Sequence, residues 1–447
     1  MDKYILIYAY TNFSKGELNY WNDLSDLLKK KGFKLLILAP IYPNGKYKFL
    51  CHKFTERLDD VLINPLFKNC NGNFKKYLDR ELVWYGESSK DRLSAAKSQK
   101  LYFEKILNEV NPCLVVLANG QHASELIFKD LIRERKIPLT FLERGCLPKS
   151  WHLDDLGITA GTSIALKKLE EINVENTTHN IELFKSYYLN GQFTWWQQPE
   201  SNNQLNIRER FNVSKDTKLI LFLNQLDNDT SNFLYSPLFN NNHEAFSWFL
   251  KGIKDENCFV IAKKHPWFSG NENEFSRAFE KQGVEGVWID DISLFDCLEQ
   301  TDYVAAVNST VVFEAMLYEK PVLQLGKSIL SNKEIVYEIK GKDDFQTVNH
   351  WLESLEFKDR VERYNVFMSY MIKNELSFFS KECIKFGFND SKLFLNWILS
   401  RLDDNRKGRK LLSFLEKEKR VRKQYLVQRM MRKIAKKSLN LIKKYVK

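Results

Sequence analysis

Short, wholly apolar runs alternate with segments whose apolar residues recur three and four positions apart along most of this chain. Residues 4–10 form the first apolar run. After the polar turn 11–16, Leu18, Trp21, Leu24, Leu27 and Leu28 fall on one side of a helix. Gly32 stands where a helix C-cap is expected, and 33–39 is a second apolar strand closed by Pro40. The same alternation predicts a helix near 92–110, a strand over 114–118, a helix near 122–135 and a strand over 138–142. Strands that are apolar along their whole length and alternate with helices predict a parallel sheet covered on both faces.

A polar stretch, 197–206, separates this half from a second run of the same kind. Strands are predicted at 218–223, 258–262, 286–289, 303–307 and 321–325, with helices at 242–256, 273–282, 293–300 and 311–318 between them. Region 343–400 reads as mainly helical. A length of 447 residues suits two cores rather than one. The expected organisation is α/β, with two Rossmann-like domains over 1–200 and 207–400 facing across a cleft. Ligands gather at the carboxyl ends of the strands in such sheets.

Charge changes the picture only once it is located. The formal net charge is +11, yet residues 401–447 hold 18 Lys and Arg against 4 Asp and Glu. The remaining 400 residues carry 50 basic and 53 acidic side chains, a slightly acidic body that argues against nucleic acid as a partner. Within the tail, Leu426, Met430 and Ile434 recur at spacing four, as do Leu441 and Tyr445. An amphipathic basic helix over 410–447 is therefore expected to meet an anionic membrane surface or an assembly partner. Nothing near the amino terminus resembles a secretory signal, and no apolar run is long enough to span a bilayer. The seven cysteines show no paired spacing, the usage of reduced thiols in a cytoplasmic protein.

The polar residues at the strand ends carry the candidate chemistry. They are Asn119, Gly120, Gln121 and His122; Glu143 and Arg144; Asn224, Gln225, Asp227 and Asp229; Lys263, Lys264, His265 and Pro266; and Asn308, Ser309 and Thr310. Cations and an imidazole at 263–266 suit an anionic leaving group such as a nucleotide phosphate. Ser309 or Thr310 is a plausible N-cap, and a helix start there can also hold phosphate. Glu314, one turn in, could reach a ribose hydroxyl or lie solvated on the helix. Asp227, Asp229 and Glu143 are the acidic side chains at these ends, and paired carboxylates suit glycosyl transfer. Asp227 and Asp229 could equally form an Asx turn.

In their order these segments resemble bacterial capsule polysaccharide biosynthesis proteins that act as retaining β-Kdo transferases. The resemblance is carried by Glu143-Arg144-Gly145-Cys146-Leu147-Pro148-Lys149-Ser150, Leu153-Asp154-Asp155-Leu156-Gly157-Ile158 and Gln225-Leu226-Asp227-Asn228-Asp229-Thr230-Ser231. His265-Pro266 and Asn308-Ser309-Thr310, with Phe313-Glu314-Ala315 and Lys320-Pro321-Val322, complete the series over roughly residues 110–330. It implies a GT-B fold, CMP-β-Kdo as donor, no metal requirement and retention of anomeric configuration. It further implies that a carboxylate forms a covalent intermediate, with Asp229 the first choice and Asp227 the second. Glu143 would be the acid/base, Lys263 would help hold the donor's carboxylate or phosphate, and His265 would stabilise departing CMP. Gln225, Lys264, Pro266, Asn308, Ser309, Thr310 and Glu314 would complete the donor site. Asn119, Gly120, His122 and Arg144 would lie toward the acceptor.

The chain departs from the family at Arg144, at Asn228 and over 158–161, where acidic or aromatic residues are usual. The expected function is thus transfer of Kdo onto a capsule or lipopolysaccharide glycan, including a lipid-linked one, at the inner face of the cytoplasmic membrane. Another CMP-nonulosonate or a UDP-sugar as donor, or an inactive scaffold of the assembly pathway, stand as alternatives.

Overall fold

The computed structural model describes residues 2–404 apart from 56, 87–90, 173–178, 192–197, 203, 355–356, 382 and 384–386. The basic helix expected over 410–447 lies outside the described residues. The chain forms two compact units, one of residues 1–145, 149–158 and 373 onward, the other of 146–148 and 159–372. A linear division near residue 200 therefore gives way to a chain that enters the second unit early and returns. Packing explains both crossings. The terminal helix Ser391–Asp404 sets Phe394 edge-on against Tyr20 and Trp21, at 6.1 and 5.8 Å between ring centroids. Helix His179–Gly191 packs on Phe357–Tyr370 within the second unit.

The first unit holds β1 (Lys3–Tyr8), β2 (Phe33–Ala39), β3 (Leu50–Lys53), β4 (Leu114–Ala118), β5 (Leu139–Arg144) and β6 (Ser150–Asp154). Across the sheet the order is β6-β5-β4-β1-β2-β3, with the short strand Ser377–Phe378 beside β6. From β3 to β5 all pairs are parallel, as the apolar runs predict. β6 and Ser377–Phe378 are antiparallel additions that the pattern did not announce. Their cause is local: only five residues join β5 to β6, too few for a parallel crossover. The resulting register sets Glu143 opposite His152 and Arg144 opposite Trp151. Helix Lys15–Lys30 starts on a capping box, Ser14 with Glu17, and buries Trp21, Leu24 and Leu28.

The second unit holds β7 (Lys218–Leu223), β8 (Cys258–Lys263), β9 (Gly286–Ile289), β10 (Tyr303–Ala306), β11 (Val322–Gln324) and β12 (Tyr337–Glu338). They form one sheet, order β12-β11-β10-β7-β8-β9, parallel throughout. Its core is aromatic: Phe222 lies 4.7 Å from Phe246 and 5.4 Å from Phe249, and Trp351 is fully buried. Gly286 is required at the β8–β9 pair, because a Cβ there would lie 2.4 Å from the Val260 carbonyl oxygen and 2.3 Å from the Phe279 ring. A backbone oxygen in a ladder cannot step aside. Gly286→Ala is therefore expected to destabilise by about 1–3 kcal/mol, read as a lower denaturant midpoint for the second unit. All seven cysteines are free, and no helix among the described residues is long and apolar enough to cross a membrane.

Candidate functional site

In the second unit β10, β7 and β8 are neighbours in the sheet, so the segments that follow them start from adjacent strands. Gln225 and Asn308 are both buried and bind each other reciprocally. Gln225 Nε2 donates to Asn308 Oδ1 at 3.1 Å, and the Asn308 N–H donates to Gln225 Oε1 at 2.9 Å. Asn308 Nδ2 also donates to the Ser231 carbonyl at 2.9 Å. These two amides therefore clamp the β7 and β10 loops to one another, a framework role ahead of any ligand contact.

That clamp positions the two acidic residues. Asp227 Oδ1 accepts the Asn242 N–H at 2.7 Å, in the first turn of helix Asn242–Ile253. Asp229 accepts the Ser231 N–H at 2.8 Å and the Ser231 hydroxyl, capping helix Thr230–Tyr235. The Asx-turn reading thus holds for Asp229, yet both carboxylates remain exposed to solvent. A cap and a reactive group are compatible here, since the cap fixes the side chain's orientation.

At the end of β8 the two lysines are already engaged. Lys263 is buried, donates to the Ile292 carbonyl at 2.6 Å, and has its pKa pushed down by burial. Lys264 pairs with Glu272 at 2.5 Å and Asp290 at 3.5 Å. His265 follows them in the same segment. Its Nδ1 accepts the Trp267 N–H at 3.1 Å, within the turn that Pro266 sits in. Burial holds the imidazole's pKa below its ordinary value, against the opposing pull of the Asp229 charge. That pull ties His265 electrostatically to Asp229.

After β10, Ser309 Oγ accepts the Val311 N–H at 3.2 Å at the start of helix Val311–Leu317, while Thr310 makes no side-chain cap. Glu314 is buried rather than solvated, and its carboxylate accepts the Tyr188 hydroxyl from helix His179–Gly191. Burial pushes its pKa up to about 7 from 4.5. The folded state thus keeps a proton that the unfolded chain loses, so stability falls as pH rises from about 4.5 through 7. We expect the melting temperature to drop between pH 5 and pH 8 in the wild type, and to drop less in Glu314→Gln. The relief is bounded by about 1.4 kcal/mol per unit of the raised pKa.

In the first unit, Asn119 and Gly120 are consecutive left-handed residues, with φ of 57° and 75°. Only glycine suits the second, since a Cβ would lie 2.9 Å from the Phe141 ring. His122 precedes helix Ala123–Glu134 and is packed against Trp84 and Tyr85, at 5.1 and 5.9 Å between ring centroids. The Tyr85 hydroxyl lies 3.3 Å from its Nδ1. Beneath this turn sit two buried ionisable side chains that the sequence reading missed. Glu125 accepts the Gln121 and His122 N–H groups at 2.8 and 3.1 Å, and Lys129 donates to the Gly120 carbonyl. Burial raises the Glu125 pKa to about 8 and lowers that of Lys129 to about 7.

The other missed group is His152, on β6. Its Nδ1 lies 3.6 Å from Glu143 Oε1 and its Nε2 lies 3.6 Å from Glu375 Oε2. Those are ion-pair separations, longer than hydrogen bonds. Burial opposes its charge, but the two carboxylates outweigh burial and hold its pKa up at about 10. Glu143 is therefore half-buried beside a cation. The Arg144 charge acts on Glu17, whose own pKa is raised by burial. Among the described residues, no group of three or more His, Cys, Asp or Glu side chains is placed to hold a metal ion.

No curated protein matches the chain in sequence. Among solved structures it is similar to Thermosulfurimonas dismutans KpsC, a beta Kdo 2,7 transferase, at 14% identity and TM-score 0.42, covering 90% of this chain and 100% of that one. It is also similar to a glycosyltransferase from Rickettsia africae, at 13% identity and TM-score 0.37, covering 91% and 99%. A third is S. aureus MnaA with UDP, at 11% identity and TM-score 0.38, covering 81% and 91%. Residues 173–374 match the family model described as "Capsule polysaccharide biosynthesis protein". That stretch lies almost wholly within the second unit, which holds the Asp227, Asp229, His265 and Asn308 segments. Over those residues this chain carries the signature of the capsule polysaccharide biosynthesis protein family.

Proposed function

We propose that this protein is a retaining GT-B glycosyltransferase that moves Kdo from CMP-β-Kdo onto a bacterial surface glycan, of capsule or lipopolysaccharide. The observation that carries the reading is the placement of Asp229. It is exposed at the end of β7, oriented by its own cap, and electrostatically tied to His265 of the adjacent β8. The family match over the same unit supports it. In the first step the Asp229 carboxylate attacks the anomeric carbon of Kdo. The bond to the CMP phosphate oxygen breaks, and that oxygen leaves with the bonding pair while His265 donates a hydrogen bond to it. In the second step an acceptor hydroxyl attacks the same carbon and Asp229 departs as carboxylate. Glu143 takes the hydroxyl proton. Two displacements at one carbon retain configuration.

The acceptor is a glycan, or a lipid-linked one, reached at the inner face of the cytoplasmic membrane. The basic stretch 410–447 holds the protein against anionic lipid there, and nucleic acid is no partner. No metal takes part, so activity should survive a chelator. The deciding experiment incubates pure protein with CMP-Kdo and an extract of lipid-linked glycans and weighs the products. A Kdo added to glycan supports the reading. Stabilisation by UDP and not by CMP in a thermal-shift comparison overturns the donor, and CMP binding with neither donor hydrolysis nor transfer points to an inactive scaffold.

A further inference from the structure

We propose that His152 is the positioning residue of the acceptor-side carboxylate: a buried imidazole set between Glu143 and Glu375 that holds the Glu143 side chain in one orientation. The inference rests on the assignment of Glu143 as the base. Three adjacent strands produce the arrangement. Glu143 and His152 are direct partners in the β5–β6 ladder, and cross-strand partners share a face of the sheet. Glu375 ends the helical turn Met371–Glu375, two residues before the strand Ser377–Phe378, whose Ser377 pairs with Trp151. Carboxylate, imidazole and carboxylate thus lie in a row across the sheet, with both ring nitrogens 3.6 Å from a carboxylate oxygen.

Burial separates the roles within this row. The His152 side chain is 3% exposed, whereas those of Glu143 and Glu375 are 17% and 23% exposed. The imidazole is sealed from substrate, and the carboxylates border solvent. A sealed group cannot itself exchange protons with an acceptor, but it can fix a neighbour that does. An uncompensated charge at such a place would be costly, and here two opposite charges flank it. The charged groups acting on His152 are these two carboxylates. Asp154, farther along β6, is turned instead to the N–H groups of Leu156 and Gly157 at 2.7 and 3.2 Å. Removing either glutamate should therefore let the imidazole lose its proton at lower pH.

Two measurements test this. The first follows the His152 ring resonances by NMR as pH rises, a readout that needs no activity. In the wild type the ring should stay protonated beyond pH 8, and in Glu375→Gln it should deprotonate at distinctly lower pH. Titration of wild-type His152 near the ordinary histidine value overturns the proposal, whatever the protein catalyses. The second compares kinetics with CMP-Kdo. His152→Gln is expected to lower kcat by about 10- to 100-fold with the donor KM within about twofold, and to melt at a lower temperature, since the raised imidazole pKa stabilises the fold, while remaining folded at the temperature of the assay. In Glu375→Gln the alkaline limb of the rate profile should move to lower pH. A charged His152 whose glutamine variant keeps wild-type kcat and KM would refute the positioning role while leaving the transferase reading intact. Failure of every CMP-Kdo assay with His152 still protonated strikes the function and removes the positioning role with it.

Discussion

Asp229→Asn is expected to lower kcat for transfer from CMP-Kdo by about 10⁴-fold or more, because it removes the proposed nucleophile. Asparagine is the informative substitution. Asp229 also caps helix Thr230–Tyr235 through its Oδ1, and an amide oxygen can still accept the Ser231 N–H. Alanine would lose that cap, at a cost of about 1 kcal/mol, and confuse folding with chemistry. Asp227→Asn is the paired comparison. Asp227 Oδ1 accepts the Asn242 N–H at 2.7 Å, a bond asparagine can keep, so its kcat should fall by no more than about tenfold. Wild-type protein given donor without acceptor should gain the mass of one Kdo residue, recovered on the peptide containing Asp229. Should Asp227→Asn be the inactive variant and Asp229→Asn active, the nucleophile is Asp227.

The parallel core of both units was legible because strands buried on both faces leave a continuous apolar run. Apart from Lys34 and Lys218, residues 33–39, 218–223 and 258–262 are such runs, and each lies inside its sheet with a neighbour on both sides. Two strands of the first unit, β3 and β6, were not legible for the opposite reason. β3 is largely exposed, and β6 mixes Ser150, His152 and Asp154 into a buried strand, so neither shows an apolar run. The return of residues 373–404 to the first unit depends on packing between residues far apart in sequence, such as Tyr20 with Phe394, which no local pattern encodes.

The same contrast runs through the site. Polar residues directly after an apolar strand were readable as a group, and Gln225, Asp227, Asp229, His265 and Asn308 do follow neighbouring strands. What each side chain is bonded to was not readable. Lys263 and Lys264 looked like donor ligands, yet one ammonium rests on the Ile292 carbonyl and the other on Glu272 and Asp290. Glu314 lies buried against Tyr188, more than a hundred residues earlier in the chain. His152 could have been found from the register of a hairpin closing at Gly145 to Lys149, had the hairpin itself been predicted.

His265→Ala is expected to lower kcat by about 10²–10³-fold, the usual loss when one preorganised donor to a developing anion is removed. The geometry fixes which ring nitrogen of His265 can donate. Its Nδ1 accepts the Trp267 N–H, so the neutral ring carries its proton on Nε2 and remains a donor without being charged. Burial keeps its pKa below the ordinary histidine value, with Asp229 pulling the other way, so the neutral form prevails near neutral pH. A neutral donor still serves as pH rises. Wild-type kcat should therefore not decline through the pH range in which an ordinary histidine loses its proton. His265→Gln, which offers an amide N–H, should recover part of the loss in His265→Ala, whereas a cation would be irreplaceable by glutamine. A kcat that falls between pH 6 and 8, with no recovery in His265→Gln, would mean that the imidazolium is the working form and that the Asp229 charge, not burial, governs this residue.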